Sequence, residues 1–177
     1  AENPGQFVRV FKKGLSDSSY YVVRRALSAL SNVNQKLALK ASKALKQTRN
    51  DRLLLDVARL HASQGQKAAN SFLQDALLKR PNWRGRFNFF ETYLGYLKRM
   101  GVSFFESELA ELSDLEQWIA DKDDRSSVVE ALKSYRQDYQ QELEELKAAT
   151  DEKNEPIEQR ERVIGRLNQM IETFQRP

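Results

Sequence analysis

Between Leu15 and Leu30 the chain reads LSDSSYYVVRRALSAL, and this stretch limits its fold more than any other. Asp17 or Ser16 supplies an N-cap oxygen, with negative charge at the positive end of a helix dipole. Tyr20, Val23, Leu27 and Leu30 then recur at helical spacing as one apolar stripe, widened by Tyr21, Ala26 and Ala29, with Arg24 and Arg25 off it. Asn32 and Asn34 suit the turn that follows. A second helix is predicted from about Gln35 to Thr48, with Leu37, Ala38, Ala41, Ala44 and Leu45 inward. Two short amphipathic helices joined by a tight turn make one layer of a stacked helical array.

The same punctuation continues. Gln6 to Gly14 reads as a short helix with Phe7, Val10 and Phe11 inward. Asn50 caps a helix carrying Leu54, Val57, Ala58 and His61 that stops near Gly65. Lys67 to Arg80 follows, with Phe72, Leu73, Ala76 and Leu77 inward, and is ended by Pro81. Trp83 to Met100 is striped by Phe87, Phe90, Leu94 and Leu97, with Gly101 after it. Phe104 to Ala120 carries Leu109, Leu112, Leu115 and Ile119, with a candidate break at Ser113–Asp114. Arg125 to about Ala149 is long and carries Val128, Leu132, Tyr135, Tyr139, Leu143 and Leu146. A polar linker, Thr150 to Glu155, leads to Pro156 at a helix start, and the last helix runs to about Phe174 with Ile157, Ile164, Leu167 and Ile171.

With 7 Gly and 4 Pro in 177 residues, helix is favoured over sheet, and no segment reads as a strand. The helix-pair spacing over the first hundred residues, roughly 30–35, lies in the range of helical repeats. The units are degenerate and closer to HEAT-type than to tetratricopeptide repeats. The expectation is one all-α domain over residues 1–177: an α-solenoid of antiparallel helix pairs (HEAT-like, right-handed) over 1–100, and longer capping helices over 101–177 that close as a terminal antiparallel hairpin. A chain that opens at Ala1 rather than Met reads as a processed product or an excised C-terminal fragment. No run of 18 apolar residues is present, so no membrane span is expected. With no Cys, disulfides and thiol chemistry are excluded, and the compartment stays open, cytoplasmic or periplasmic.

Charge is unevenly placed. Residues 1–100 hold 19 Lys and Arg against 6 Asp and Glu, a net of +13, whereas residues 101–177 hold 10 against 19, a net of −9. A basic half of this kind is either a surface for an anionic partner or a solvated outer face. Lys36, Lys40, Lys43 and Lys46 recur at helical spacing. Lys36, Lys40 and Lys43, together with Arg84 and Arg86, are the candidate peptide or partner contacts. Nothing resembles a dedicated nucleic-acid motif.

Catalytic constellations are nearly absent. His61 is the only histidine, so an H-E-x-x-H zinc site, which needs two imidazoles one turn apart, cannot be built from this chain. A Ser-His-Asp triad would have to use His61, which lies on the apolar side of its helix and reads as a partly buried, hydrogen-bonded structural residue. Gly85 and Gly95 are isolated in a helical pattern and make no phosphate loop. Glu144 and Glu145 are an ordinary exposed pair. The aromatic run Trp83, Phe87, Phe89, Phe90, Tyr93 and Tyr96 reads as helix packing before it reads as a peptide groove.

One resemblance bears on function. The run from Phe11 to Leu30, FKKGLSDSSYYVVRRALSAL, resembles the D-x-S-Y-x-V-x-x-x-A-L-x-A-L helix that opens the C-terminal helical region of many bacterial zinc aminopeptidases of the aminopeptidase N (gluzincin) family. Leu55 to Gly65, LDVARLHASQG, is similar to the helix that follows there; Phe87 to Tyr93, FNFFETY, is similar to the aromatic helix after that; and the charged pair at the end resembles the terminal hairpin. The resemblance implies a noncatalytic solenoid that covers the zinc site of a parent enzyme and restricts peptide access. Zinc is then expected in the parent catalytic domain and no cofactor in this chain. The implied partners are the catalytic domain of the same polypeptide and, indirectly, the peptide. The zinc-binding helix, its third glutamate ligand and the G-x-M-E-N loop are missing from this sequence, so the chain alone is not expected to be an enzyme. The alternative is a stand-alone HEAT-like scaffold that binds a protein or nucleic acid through its basic N-terminal half.

Overall fold

Asparagine sets three of the helix starts. Asn34, Asn50 and Asn154 each turn a side-chain oxygen onto the backbone N–H three residues on, at Leu37 (3.0 Å), Leu53 (3.0 Å) and Ile157 (3.3 Å), satisfying a donor that the helix itself cannot. The computed structural model describes residues 4–78, 83–112, 122–149 and 154–176, with side chains for 7–78, 86–112, 125–149 and 154–176. Every regular element among the described residues is helical. The chain divides into two compact units, Ala1–Lys79 and Arg80–Pro177.

The first unit holds α1 (Pro4–Gly14), α2 (Tyr20–Val33), α3 (Gln35–Ser42), a 3-10 turn (Lys43–Gln47), α4 (Asp51–Ala62), a second 3-10 turn (Lys67–Ala69) and α5 (Asn70–Leu78). α2 is central and packs on α1, α3 and α4. Its buried residues are Val23, Ala26, Leu27 and Leu30, of which Val23, Leu27 and Leu30 share a core cluster with Ala38 of α3 and Leu53, Val57 and Leu60 of α4. Asn34 serves two helices at once: its N–H donates to Leu30 O, closing α2, while its side chain opens α3. α1 approaches α2 at Gly14, where a Cβ would lie 2.9 Å from the Ala26 Cβ, so a larger residue would push the helices apart.

Several sequence expectations shift here. Neither Asp17 nor Ser16 caps α2. Ser19 occupies the cap position without a side-chain bond, and the Asp17 carboxylate accepts from Ser19 N–H (2.8 Å), which delays the helix to Tyr20. Tyr20, now the first residue of α2, stays 50 % exposed, and Tyr21 62 %, so neither joins the stripe. In α1 the inward face is Val8, Phe11 and Leu15, while Phe7 and Val10 are exposed. The helix predicted over 35–48 stops at Ser42, whose hydroxyl donates back to Leu39 O (2.9 Å), a local contact that bends helices. The chain tightens there into the 3-10 turn, and Ala44 is left exposed.

The second unit holds α6 (Trp83–Met100), α7 (Val102–Glu111), α8 (Lys122–Ala149) and α9 (Glu155–Gln175). Gly101 joins α6 to α7 at φ +102°, backbone that favours glycine. Phe90, Tyr93, Leu94 and Leu97 of α6 are buried and Phe87 is half-buried. From α7, Phe105 sets its ring 5.1 Å from Tyr139 and 5.9 Å from Tyr135 of α8, and Tyr93 Oη donates to Glu108 (3.0 Å). Pro156 lies in the first turn of α9, as expected.

α8 and α9 form an antiparallel pair, read from their register: Arg125 Nη1 donates to Arg176 O (3.2 Å), Arg136 Nη1 to Asn168 Oδ1 (3.1 Å), Arg160 Nε to Glu142 (3.2 Å) and Lys147 Nζ to Glu161 (2.9 Å). Val128, Leu132 and Tyr139 of α8 and Ile157, Val163, Leu167 and Ile171 of α9 are buried, and Ile164 is half-buried. The expectations for Pro81, Leu115, Ile119, the Ser113–Asp114 break and most of the 150–155 linker lie outside the described residues.

Candidate functional site

The candidate cationic contacts divide between the two units. Lys36 and Lys40 project from α3 and Lys43 from the 3-10 turn; all three are exposed and make no ion pair among the described residues. Lys46 leaves this series. The tighter 3-10 winding swings it over the Phe72 ring of α5, with Nζ 4.4 Å from the ring centroid, a cation–π contact that half-buries the ammonium. Burial first, and the Lys43 charge second, push its pKa down. Arg86 is half-buried in α6, and the Arg84 side chain lies outside the described residues.

His61 lies near the end of α4, half-buried, with its ring edge-on to Phe72 (5.5 Å between centroids) and Nε2 3.0 Å from Ser42 Oγ. Ser42 is fully buried and its single hydroxyl proton goes to Leu39 O, so its oxygen accepts from His61. That fixes the imidazole proton on Nε2. The ring therefore joins α3 to α4. Desolvation, helped by the Lys46 and Lys43 charges, lowers its pKa to about 4, which keeps it neutral at pH 7.

This has a pH consequence of definite sign. The unfolded chain protonates the imidazole at ~6.5, the folded chain only at about 4. Between these values the unfolded state binds the extra proton. Stability is therefore complete above the unfolded pKa and declines as pH falls toward the folded one. Allowing for solvent screening at a half-buried ring, the loss is roughly 1–2 kcal/mol. Urea midpoints at neutral and mildly acidic pH measure it. His61→Gln, which retains a donor for Ser42, should flatten the difference; an unchanged difference would place the sensitivity elsewhere.

A cleft of about 500 Å³ runs between α2 and α4. It was not legible in the sequence, although Arg24 and Arg25 were placed off the stripe. Its walls are two polar helical seams, Arg24, Arg25, Ser28, Ser31 and Asn32 on α2, and Asp56, Arg59 and Ser63 at α4; Leu27 and Leu60 lie between them. Arg24 grips Asp56 through Nε (2.6 Å) and Nη2 (3.4 Å), which raises the arginine pKa. Arg25 sits over the Tyr21 ring, 5.3 Å from its centroid, with Nε donating to Tyr21 Oη (3.3 Å). A second, more apolar groove of about 480 Å³ lies between α1 and α2, lined by Val10, Phe11, Gly14, Val22, Ala26 and Ala29.

In the second unit ion pairs link neighbouring helices. Lys98 pairs with Asp138, Arg162 with Glu106 (2.9 Å), Arg160 with Glu142 and Lys147 with Glu161. Burial drives the Tyr135 pKa up to about 12, with Glu91 and Asp138 adding to it, and raises that of Tyr139 further. Both phenols stay protonated at neutral pH.

Among the described residues no group of three or more His, Cys, Asp or Glu is placed to hold a metal ion, and no helix is long and apolar enough to cross a membrane. Comparison with protein-family models, with curated proteins and with solved structures finds no match.

Proposed function

We propose that this chain is a noncatalytic helical domain of a zinc aminopeptidase of the aminopeptidase N type. Its helix pairs form a HEAT-like solenoid with α8 and α9 as the terminal hairpin, and the domain limits peptide access to a cavity built elsewhere in the parent. The observation that carries this reading is the split character of α2. Within the segment that resembles the family's opening helix, Ala26, Leu27 and Leu30 are buried, while Tyr20 (50 % exposed) and Val22 (37 %) are not. Val22, with Val10 of α1 (64 % exposed), flanks an apolar run along the α1–α2 groove that stays partly open. A monomer rarely exposes such a run without a partner for it. On this reading the face meets the remainder of the enzyme. The single imidazole is already committed to Ser42 and Phe72, which suits a structural part.

A second reading, a scaffold that binds an anionic macromolecule, draws on the charge of the first unit. Residues 1–79 carry 14 Lys and Arg against 5 Asp and Glu, a net of +9, and Lys36, Lys40 and Lys43 are exposed. Two measurements separate the readings. The purified chain, incubated with zinc and an aminoacyl chromogenic substrate, should give no turnover above a metal-free blank; turnover that survives further purification would overturn the accessory-domain reading. Affinity for RNA or DNA oligomers that falls steeply with salt would favour the scaffold.

A further inference from the structure

We propose that the cleft between α2 and α4 binds a doubly charged, tetrahedral oxyanion of the phosphate type. The cleft belongs wholly to the first unit, and the inference does not depend on the peptidase reading.

The cleft presents hydrogen-bond donors with too few acceptors to match them. Of the three guanidinium groups lining the cleft, Arg24 is neutralised by Asp56, the one carboxylate there. Arg25 and Arg59 remain uncompensated, so the cleft carries two positive charges. The Arg59 side chain makes no hydrogen bond or ion pair among the described residues, and Arg25 uses only Nε, on Tyr21, which leaves both its terminal nitrogens to a ligand. Ser28, Ser31 and Asn32 likewise have no partner among the described residues and line the same space with further donors. Ser63 contributes no donor, because its hydroxyl proton goes to Leu60 O (2.8 Å).

Two of the guanidinium groups are also held in place. Arg24, Ser28 and Ser31 stand at successive turns of α2, and Asp56, Arg59 and Ser63 at successive turns of α4, so each seam faces one way along its helix. The Tyr21 contact fixes Arg25, and the pair with Asp56 fixes Arg24, which lowers the ordering cost of binding. Two guanidinium forks flanked by hydroxyl and amide donors suit an oxyanion that accepts from several directions. A dianion matches the two free charges.

The test is a titration of the full chain with inorganic phosphate at constant ionic strength, followed by backbone amide shifts, with succinate as a dianion of different shape. The expected result is saturable change confined to α2 and α4 around Ser28, Asn32 and Arg59, with succinate bound more weakly. Charge-assisted hydrogen bonds imply that Arg25→Ala and Arg59→Ala each weaken phosphate by roughly tenfold or more. Both side chains are exposed, so the fold is retained, which far-UV circular dichroism checks. Changes spread equally over Lys36, Lys40 and Lys43, affinity unaltered in the double variant, or succinate binding as tightly as phosphate would each overturn the assignment.

Discussion

Leu27→Asp is expected to unfold the first unit at neutral pH. Leu27 is 2 % exposed and belongs to the core cluster of Val23, Leu30, Leu53, Val57 and Leu60, so a carboxylate there reaches the arginines of the α2–α4 cleft only by abandoning that packing. The lost packing and the expulsion of a carboxylate from the core together cost about 4 kcal/mol or more. A small domain has roughly 5–15 kcal/mol in all, so most of the stability goes. Amide exchange in α2 and α4, with a denaturant midpoint, measures the effect. Leu27→Met, which conserves volume, should cost less than ~1.5 kcal/mol. A midpoint for the aspartate variant within ~0.5 kcal/mol of the parent would place Leu27 at the surface.

The second large effect is expected in the other unit. Phe105 is fully buried and its ring lies against both Tyr135 and Tyr139, so Phe105→Ala opens a cavity where three rings meet. Truncations of this kind cost about 3–5 kcal/mol. Tyr139→Phe separates ring packing from hydroxyl bonding. The Tyr139 hydroxyl is buried with no partner among the described residues, so deleting it should leave stability unchanged or raise it slightly. Thermal or urea unfolding of the two variants gives the comparison. If Tyr139→Phe cost as much as Phe105→Ala, the hydroxyl would be part of a bonded network and the description of this core would be wrong.

Helix identity was legible wherever punctuation and periodicity agreed. The span Trp83–Met100 emerges with the ends expected for it, Asn50 caps α4 as read, and the Pro156 start holds. Facing was less legible. In α1 both 7-10-11 and 8-11-15 are helical stripes, and only the neighbouring α2 decides between them. The two tyrosines at 20 and 21 fit the period of α2 but lie at its first turn, where both stay largely exposed. The lysine series failed at Lys46 because constant spacing assumes one helix type, whereas the Ser42 back-bond gives way to a 3-10 turn. The α2–α4 cleft had a signal in its spacing, polar residues at 24, 28 and 31 and again at 56, 59 and 63. That signal becomes a site only once two helices distant in sequence are known to adjoin. The apolar side of α4 marks His61 as a packing residue, and its bond to Ser42 and contact with Phe72 agree.

The functional proposal depends on what the gene encodes beside this chain, so the most direct measurement is the reading frame upstream of the Ala1 codon. The account predicts an open frame that encodes H-E-x-x-H followed by a glutamate ligand, a few hundred codons before Ala1. A start codon adjoining Ala1, or an upstream frame without that motif, would contradict it.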